Sequence, residues 1–239
     1  MSHLFFDVET LPGQTEAARE QARDDTKPPG TLKKPESIAA WWETEGEAAI
    51  EATWRKQALD PAAGELCAIG FATSDAAAVS IVRARVEPEA AFLRRAIAMI
   101  DKALADAAPA LQSDGTPWPF AESAYCVAHN AEFDLGFIRA RCWANRVRVP
   151  RWLPKPGSRA PRDFGCSMLL FAGFSGKIGL DKLCRALGVP SPKADGTTGA
   201  DVLDLWLAGE HDKLARYNAA DVTACAAGWW IMAGLEAAA

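Results

Sequence analysis

The sequence predicts an α/β fold built on a mixed five-stranded sheet with helices on its faces. Three observations lead there: β-type runs joined by short connections in the first third of the chain, a later alternation of strand and helix patterns, and an apolar-periodic C-terminal stretch. With 239 residues and 49% hydrophobic content the chain can bury one substantial core, and nothing in it sets off a second independent domain. Residues 1–239 are therefore expected to form a single domain.

The first strand is expected over about 3–8, where Leu4-Phe5-Phe6 leads into Asp7-Val8-Glu9. Residues 13–60 interrupt the plan. They hold a charged helical stretch from Gln14 to Asp25, a breaker with Pro28, Pro29, Gly30 and Pro35, and an amphipathic stretch with Trp41, Trp42 and Trp54. This inserted helical segment either covers a site at the end of the first strand or packs as an ornament on the sheet's edge. Strands follow at about 65–73 and 78–86, and Pro88 opens a helix to about Asp106. After a loop with Pro109, Gly115, Pro117 and Pro119 come a strand at 124–128 and a helix at 131–145. A Pro-rich basic stretch leads to a fifth strand near 163–166, then helices near 179–188, 199–208 and 211–234.

Asp7 and Glu9 are the most informative residues. Side chains alternate across a strand, so both carboxylates project to one side while Phe6 and Val8 project to the other. Two like charges at one point are costly unless a cation sits there, and oxygen-ligated Mg²⁺ or Mn²⁺ is the usual answer. An Asp-x-Glu alone is expected roughly once by chance in a chain of this length. Further along, Cys126-Val127-Ala128-His129-Asn130-Ala131-Glu132-Phe133-Asp134 reads as strand, turn and helix, with Asp134 in the helix's first turn. Tyr217 and Asp221 lie four apart in a helical pattern, which stacks them on one face.

In this order the three segments resemble the motifs of the DEDD 3′–5′ exonuclease superfamily. The third motif has the Tyr-x-x-x-Asp form, with Arg216 where the other subclass has His, so the chain resembles the DEDDy, DnaQ-like enzymes. Lys33-Lys34-Pro35-Glu36, Ala58-Leu59-Asp60-Pro61, Glu65 to Gly70 and Gly179-Leu180-Asp181-Lys182-Leu183 are similar to a bacterial and phage family related to the exonuclease domain of family-B DNA polymerases. The resemblance implies a ribonuclease H-like fold and either a stand-alone exonuclease domain or a subunit of something larger. It implies that Asp7 bridges two divalent cations, Mg²⁺ or Mn²⁺, that Glu9 and Asp221 complete the site of the attacking water, and that Asp134 supports the second cation largely through water. Tyr217 would orient or deprotonate that water. Thr10 and Leu11 would contact the terminal nucleotide, and Asn130 would contact substrate or fix its turn. Many relatives carry an acidic residue near the fifth strand, where this chain has Asp163 followed by Phe164-Gly165-Cys166-Ser167.

Net charge is −5, yet residues 139–193 carry twelve Lys or Arg against two acids, a local +10 that leaves 14 basic and 29 acidic residues elsewhere. This segment either tracks a phosphate backbone, with Trp143 or Trp152 offering bases a stacking surface, or is a solvated face with its tryptophans in the core. His129 either shapes the site or faces solvent from its turn. The six cysteines form no Cys-x-x-Cys or zinc-type pairing, which points to a reduced, cytoplasmic compartment. The acidic strand begins so early that no signal peptide is expected, and the apolar run from Val222 to Leu235 falls short of the roughly 20 residues a bilayer needs. The expected partner is DNA at its 3′ ends, single-stranded or frayed, with a replication or repair protein as a further candidate. An exoribonuclease and a non-catalytic nucleic-acid-binding module are the alternatives.

Overall fold

The computed structural model describes residues 3–74, 76–107, 124–193 and 196–234. The loop expected around Pro109 to Pro119 and the Ala-rich end lie outside the described residues. The chain divides into two compact units, residues 1–9 with 66–239, and residues 10–65.

Five strands form one sheet in the order β3-β2-β1-β4-β5, with β1 at His3–Leu11, β2 at Glu65–Thr73, β3 at Val79–Val82, β4 at Tyr125–Ala128 and β5 at Gly165–Cys166. The sheet is mixed, as the sequence predicts. β4 runs parallel to both β1 and β5, while β2 and β3 are antiparallel. β3 is shorter than expected. Its ladder reaches Val82, and Arg83 still donates to the Cys67 carbonyl at 2.8 Å, but the chain then turns through Ala84–Glu87. The Glu87 carboxylate accepts from the Ala84 amide and competes there with strand continuation.

Residues 10–65 hold α1 (Glu16–Asp25), α2 (Pro35–Thr44) and α3 (Gly46–Lys56). Thr15 caps α1 by accepting from Ala18, and Pro35 sits in the first turn of α2, where its missing N–H costs nothing. The expected single amphipathic stretch breaks at Glu45, whose φ/ψ of −122°/−13° is not helical, so it forms two helices. Trp54 anchors this unit: it is buried, its indole donates to the Gly13 carbonyl at 2.8 Å, and the Arg19 guanidinium lies 3.3 Å from its ring centroid. Thr10 and Leu11 belong here too. Thr10 gives its hydroxyl to the Ala58 carbonyl at 2.6 Å, and Leu11 is fully buried.

In the larger unit the helices are α4 (Glu89–Ala107), α5 (Ala131–Ala144), α6 (Ser167–Ala172), α7 (Leu180–Leu187), α8 (Val202–Ala208) and α9 (His211–Met232). α8 is preceded by a short 3-10 turn whose Thr198 and Asp201 form a reciprocal capping box. Alternation along β1 divides the core in two. Leu4, Phe6 and Val8 pack with Phe92, Leu93 and Ile100 of α4 and with Leu135, Phe137 and Ile138 of α5. Phe5 packs instead with Ala72, Val127 and the α9 residues Val222, Cys225 and Trp229. Each fully buried Leu or Phe contributes about 1.5–3 kcal/mol, so the first cluster supplies much of the stability that the second face can forgo.

Two glycines let α9 lie close on its face. A Cβ at Gly70 would stand 2.6 Å from Asn218 Oδ1 and 2.9 Å from a Val222 methyl, and one at Gly165 would stand 2.7 Å from the Trp229 ring. Distances under 3 Å are steric collisions, so a larger residue at either position would push the helix away. Among the described residues no helix is long and apolar enough to cross a membrane.

Candidate metal-binding site

Asp7 and Glu9 follow Phe5 on the face of β1 that α9 covers. α9 meets them with Tyr217, Asn218 and Asp221, all buried, on consecutive turns of one stripe. Carboxylate oxygens of Asp7, Glu9 and Asp221 lie within 4.8 Å of one another. These groups are separated by more than 200 residues of chain, and the close approach permitted by Gly70 brings them together. Glu9 and Asp221 are each only 8% exposed.

Asp134 arrives from the first turn of α5 and is 3% exposed. One of its carboxylate oxygens accepts the Val8 amide at 3.2 Å, which ties α5 to β1 between the other two acids. It stands outside the tight three-acid group but is close enough for its charge to act on Asp7 and Glu9.

The electrostatics follow from burial and like charge. Burial raises the Asp7 pKa well above the usual carboxylate range, and the carboxylates of Asp134, Glu9 and Asp221 raise it further. Glu9 is raised well above its ordinary value by burial and then by Asp221 and Asp134, with Lys193 pulling the other way. Burial pushes Asp134 up to about 7 against the lowering effect of the Val8 amide. Asp221 is pushed up to about 6 by burial, opposed by the Tyr217 hydrogen bond and by Lys193. The phenol of Tyr217 donates to Asp221, and burial beside Glu9, Asp221 and Asp7 drives its pKa far upward. In the metal-free chain it is a neutral donor.

The donor set fits a hard divalent cation. Every ligand in the group is a carboxylate oxygen, with no thiol or imidazole among them, which is the chemistry of Mg²⁺ and Mn²⁺ rather than of zinc or copper. No cationic side chain is hydrogen-bonded to any of the four acids among the described residues. A cation would remove most of the mutual repulsion.

Two contributors escaped the sequence reading. Asn218 donates to Asp7 Oδ2 at 2.7 Å and accepts from the Ser80 hydroxyl at 2.6 Å, so it orients Asp7 from β3 and α9 at once. Its signal was a polar residue on the helix face three positions before Asp221. Lys193, whose charge acts on both Glu9 and Asp221, lies in an irregular segment with no periodic cue.

The remaining expected residues separate. Asn130 is exposed and makes no side-chain cap bond; its carbonyl closes the turn by accepting from Phe133 and Asp134. His129 does not face solvent freely. One ring nitrogen pairs with Ser167 and the other with the Ile178 carbonyl, both at 2.8 Å, which staples the start of α6 and the chain before α7 to the end of β4. Cys166 is buried and donates to the His129 carbonyl. Asp163 is occupied at the surface by Arg162 and the Arg159 amide. Of the two tryptophans expected as stacking surfaces, Trp152 is 3% exposed and packs in the core, so it offers bases no face; Trp143 is 60% exposed. No family model, curated protein or solved structure matches the chain.

Proposed function

We propose that the chain is a ribonuclease H-like, two-metal 3′–5′ exonuclease that removes nucleoside 5′-monophosphates from single-stranded or frayed DNA ends. The observation that carries this reading is the convergence of Asp7, Glu9, Asp221 and Asp134 in a buried site, with Tyr217 one helical turn before Asp221. The strand order and the mixed sheet support the fold assignment, and the helices α1 to α3 between β1 and β2 support reading residues 13–60 as an inserted segment.

Asp7, Glu9 and Asp221 would hold the cations, with Asp134 supporting the second. Divalent cations bound there supply an acidified water, charge relief on the non-bridging phosphate oxygens and stabilisation of the departing 3′ oxygen. The chain's own residues do the rest. Asn218 occupies one oxygen of Asp7 and leaves the other free to face the site. The Val8 amide does the same for Asp134. Tyr217, neutral and anchored on Asp221, positions the attacking water, and Lys193 adds positive charge on the side of Glu9 and Asp221.

The test is digestion of matched 5′-labelled single-stranded DNA and RNA with Mg²⁺ or Mn²⁺, resolved beside Asp7→Ala. The proposal expects a ladder shortening from the 3′ end, faster on DNA and absent in the variant. Intact substrate with both metals would contradict it, and faster loss of RNA would reassign the substrate.

A further inference from the structure

A second polar cleft, of about 100 Å³, lies along the opposite flank of α5 from Asp134. Glu132, Leu135 and Arg139 share one helix stripe at i, i+3 and i+7, and they face the turn Lys155-Pro156-Gly157-Ser158. That turn has Pro at its second position, Gly157 at its third with φ of +87°, and a Ser158 amide bonded to the Lys155 carbonyl at 3.1 Å. These are the features of a type II turn, which places Lys155 and Ser158 side by side at the cleft's rim.

The charges in this cleft are undercompensated. Arg139 donates through one nitrogen to the Pro154 carbonyl, while its Nε is buried with no hydrogen-bond partner among the described residues. Burial lowers the Arg139 pKa, the expected mark of a guanidinium that has lost water without gaining a carboxylate. Lys155 forms no ion pair and the Ser158 hydroxyl no hydrogen bond among the described residues. Glu132 lines the same cleft and opposes anions, so the site holds two positive charges against one negative. The sealed Nε is beyond a ligand's reach, but the terminal guanidinium nitrogens of Arg139, the Lys155 ammonium and the Ser158 hydroxyl line one cleft, and an oxyanion is their chemical complement. A cleft of about 100 Å³ has room for a tetrahedral oxyanion.

We propose that Arg139, Lys155 and Ser158 form a phosphate-binding site, and that it takes a backbone phosphate of the strand whose 3′ end enters the carboxylate site. The assignment to a nucleic-acid strand rests on the nuclease reading; the phosphate site itself does not. Asp134 and Arg139 stand about 7.5 Å apart along the α5 axis but on opposite flanks, so a strand held here reaches the reacting end by passing around α5, a span of a few nucleotides.

The test is binding of fluorescein-labelled oligothymidylate in EDTA, where no turnover occurs, over a series of salt concentrations, with inorganic phosphate followed separately by phosphorus NMR. Arg139→Gln and Lys155→Gln should each weaken oligonucleotide binding about tenfold and reduce the salt slope by about 0.7, while Glu132→Gln should tighten it. The opposite sign of the Glu132 variant distinguishes a local charge effect from misfolding. Equal affinity and slope in all four proteins would overturn the proposal. Phosphate binding that depends on Arg139, with oligonucleotide binding unchanged, would overturn the strand assignment and leave a site for the free anion. If these shifts appear but the digestion ladder does not, the phosphate site stands and the nuclease reading falls.

Discussion

Two buried acidic sites in the larger unit were built on opposite terms. At the start of α4, Glu89 is 7% exposed and fully answered: its carboxylate accepts from the Leu66 amide at 2.8 Å, from Arg141 at 2.6 and 3.0 Å, and from Asn145 at 2.7 Å. It links β2, α4 and α5 in a neutral knot. At the other site, Asp7, Glu9, Asp134 and Asp221 share one Asn donor, one backbone amide, one phenol and a more distant Lys193. A fold that can place an arginine beside one buried carboxylate leaves four others without one. The difference teaches that burial alone does not explain the second site, whose clustered oxygens could hold a cation from solution.

The largest separation between the sites is expected from a single neutral substitution in each. Asp7→Asn should drop turnover to background while raising the melting temperature of the metal-free protein, because it replaces a carboxyl that must either repel its neighbours or hold a proton, and keeps the shape. Steady-state digestion and a thermal melt in EDTA check both halves. Glu89→Ala should behave in the reverse sense, costing about 3–5 kcal/mol of stability by stranding the Arg141 charge in the interior, as measured by urea denaturation. A metal-free Asp7→Asn protein that melts lower than wild type would erase the contrast.

Acidity sharpens it further. With Asp134 raised from 3.8 to about 7 and Asp221 from 3.8 to about 6, the folded metal-free chain holds protons that the unfolded chain has lost. Stability is therefore greatest below about pH 4 as far as these groups are concerned, and is lost as pH rises through about 4 to 7, by up to about 7 kcal/mol. Saturating Mn²⁺ should flatten that slope, which denaturation at pH 5 and pH 7.5 with and without metal would read directly.

Smaller effects are expected from the residues that hold the acids in place. Tyr217→Phe should keep metal affinity within about threefold, cost about 1 kcal/mol for the lost bond to Asp221, and lower the rate by roughly ten- to a hundredfold. Equal turnover would remove Tyr217 from the mechanism. Gly70→Ala should cost about 1–3 kcal/mol by forcing α9 off β2, and should weaken metal binding through the same displacement.

Much of this arrangement was legible in the chain because it rests on short-range periodicity. Alternation along residues 3–9 gives the faces of Phe5, Phe6, Asp7, Val8 and Glu9 directly, and the i, i+4 spacing gives Tyr217 and Asp221. The order of strands and helices followed from runs bounded by Gly and Pro. What was hidden depends on partners distant in sequence. Asn218 reads as an ordinary polar helix residue until Asp7, 211 positions away, is beneath it. Trp143 and Trp152 lie in the same basic stretch, and only the packing of Trp152 against the core tells them apart. β5, two residues long, and α6, six residues long, are too short to show a period, so the strand was located only approximately and the helix was not expected. Lys155 and Arg139 each look like surface charges, and their shared cleft exists only once the turn at Gly157 folds back on α5.

The central claim is that four clustered carboxylates, three of them buried and Asp7 half-buried, form a cation site, and titration calorimetry of Mn²⁺ at pH 6.5 in buffers of different ionisation enthalpy tests it most directly. The account predicts saturable binding accompanied by proton release, because protonated Asp134 and its neighbours must ionise, and loss of both in Asp7→Asn. Absence of binding, or equal binding and proton release in the variant, would contradict it.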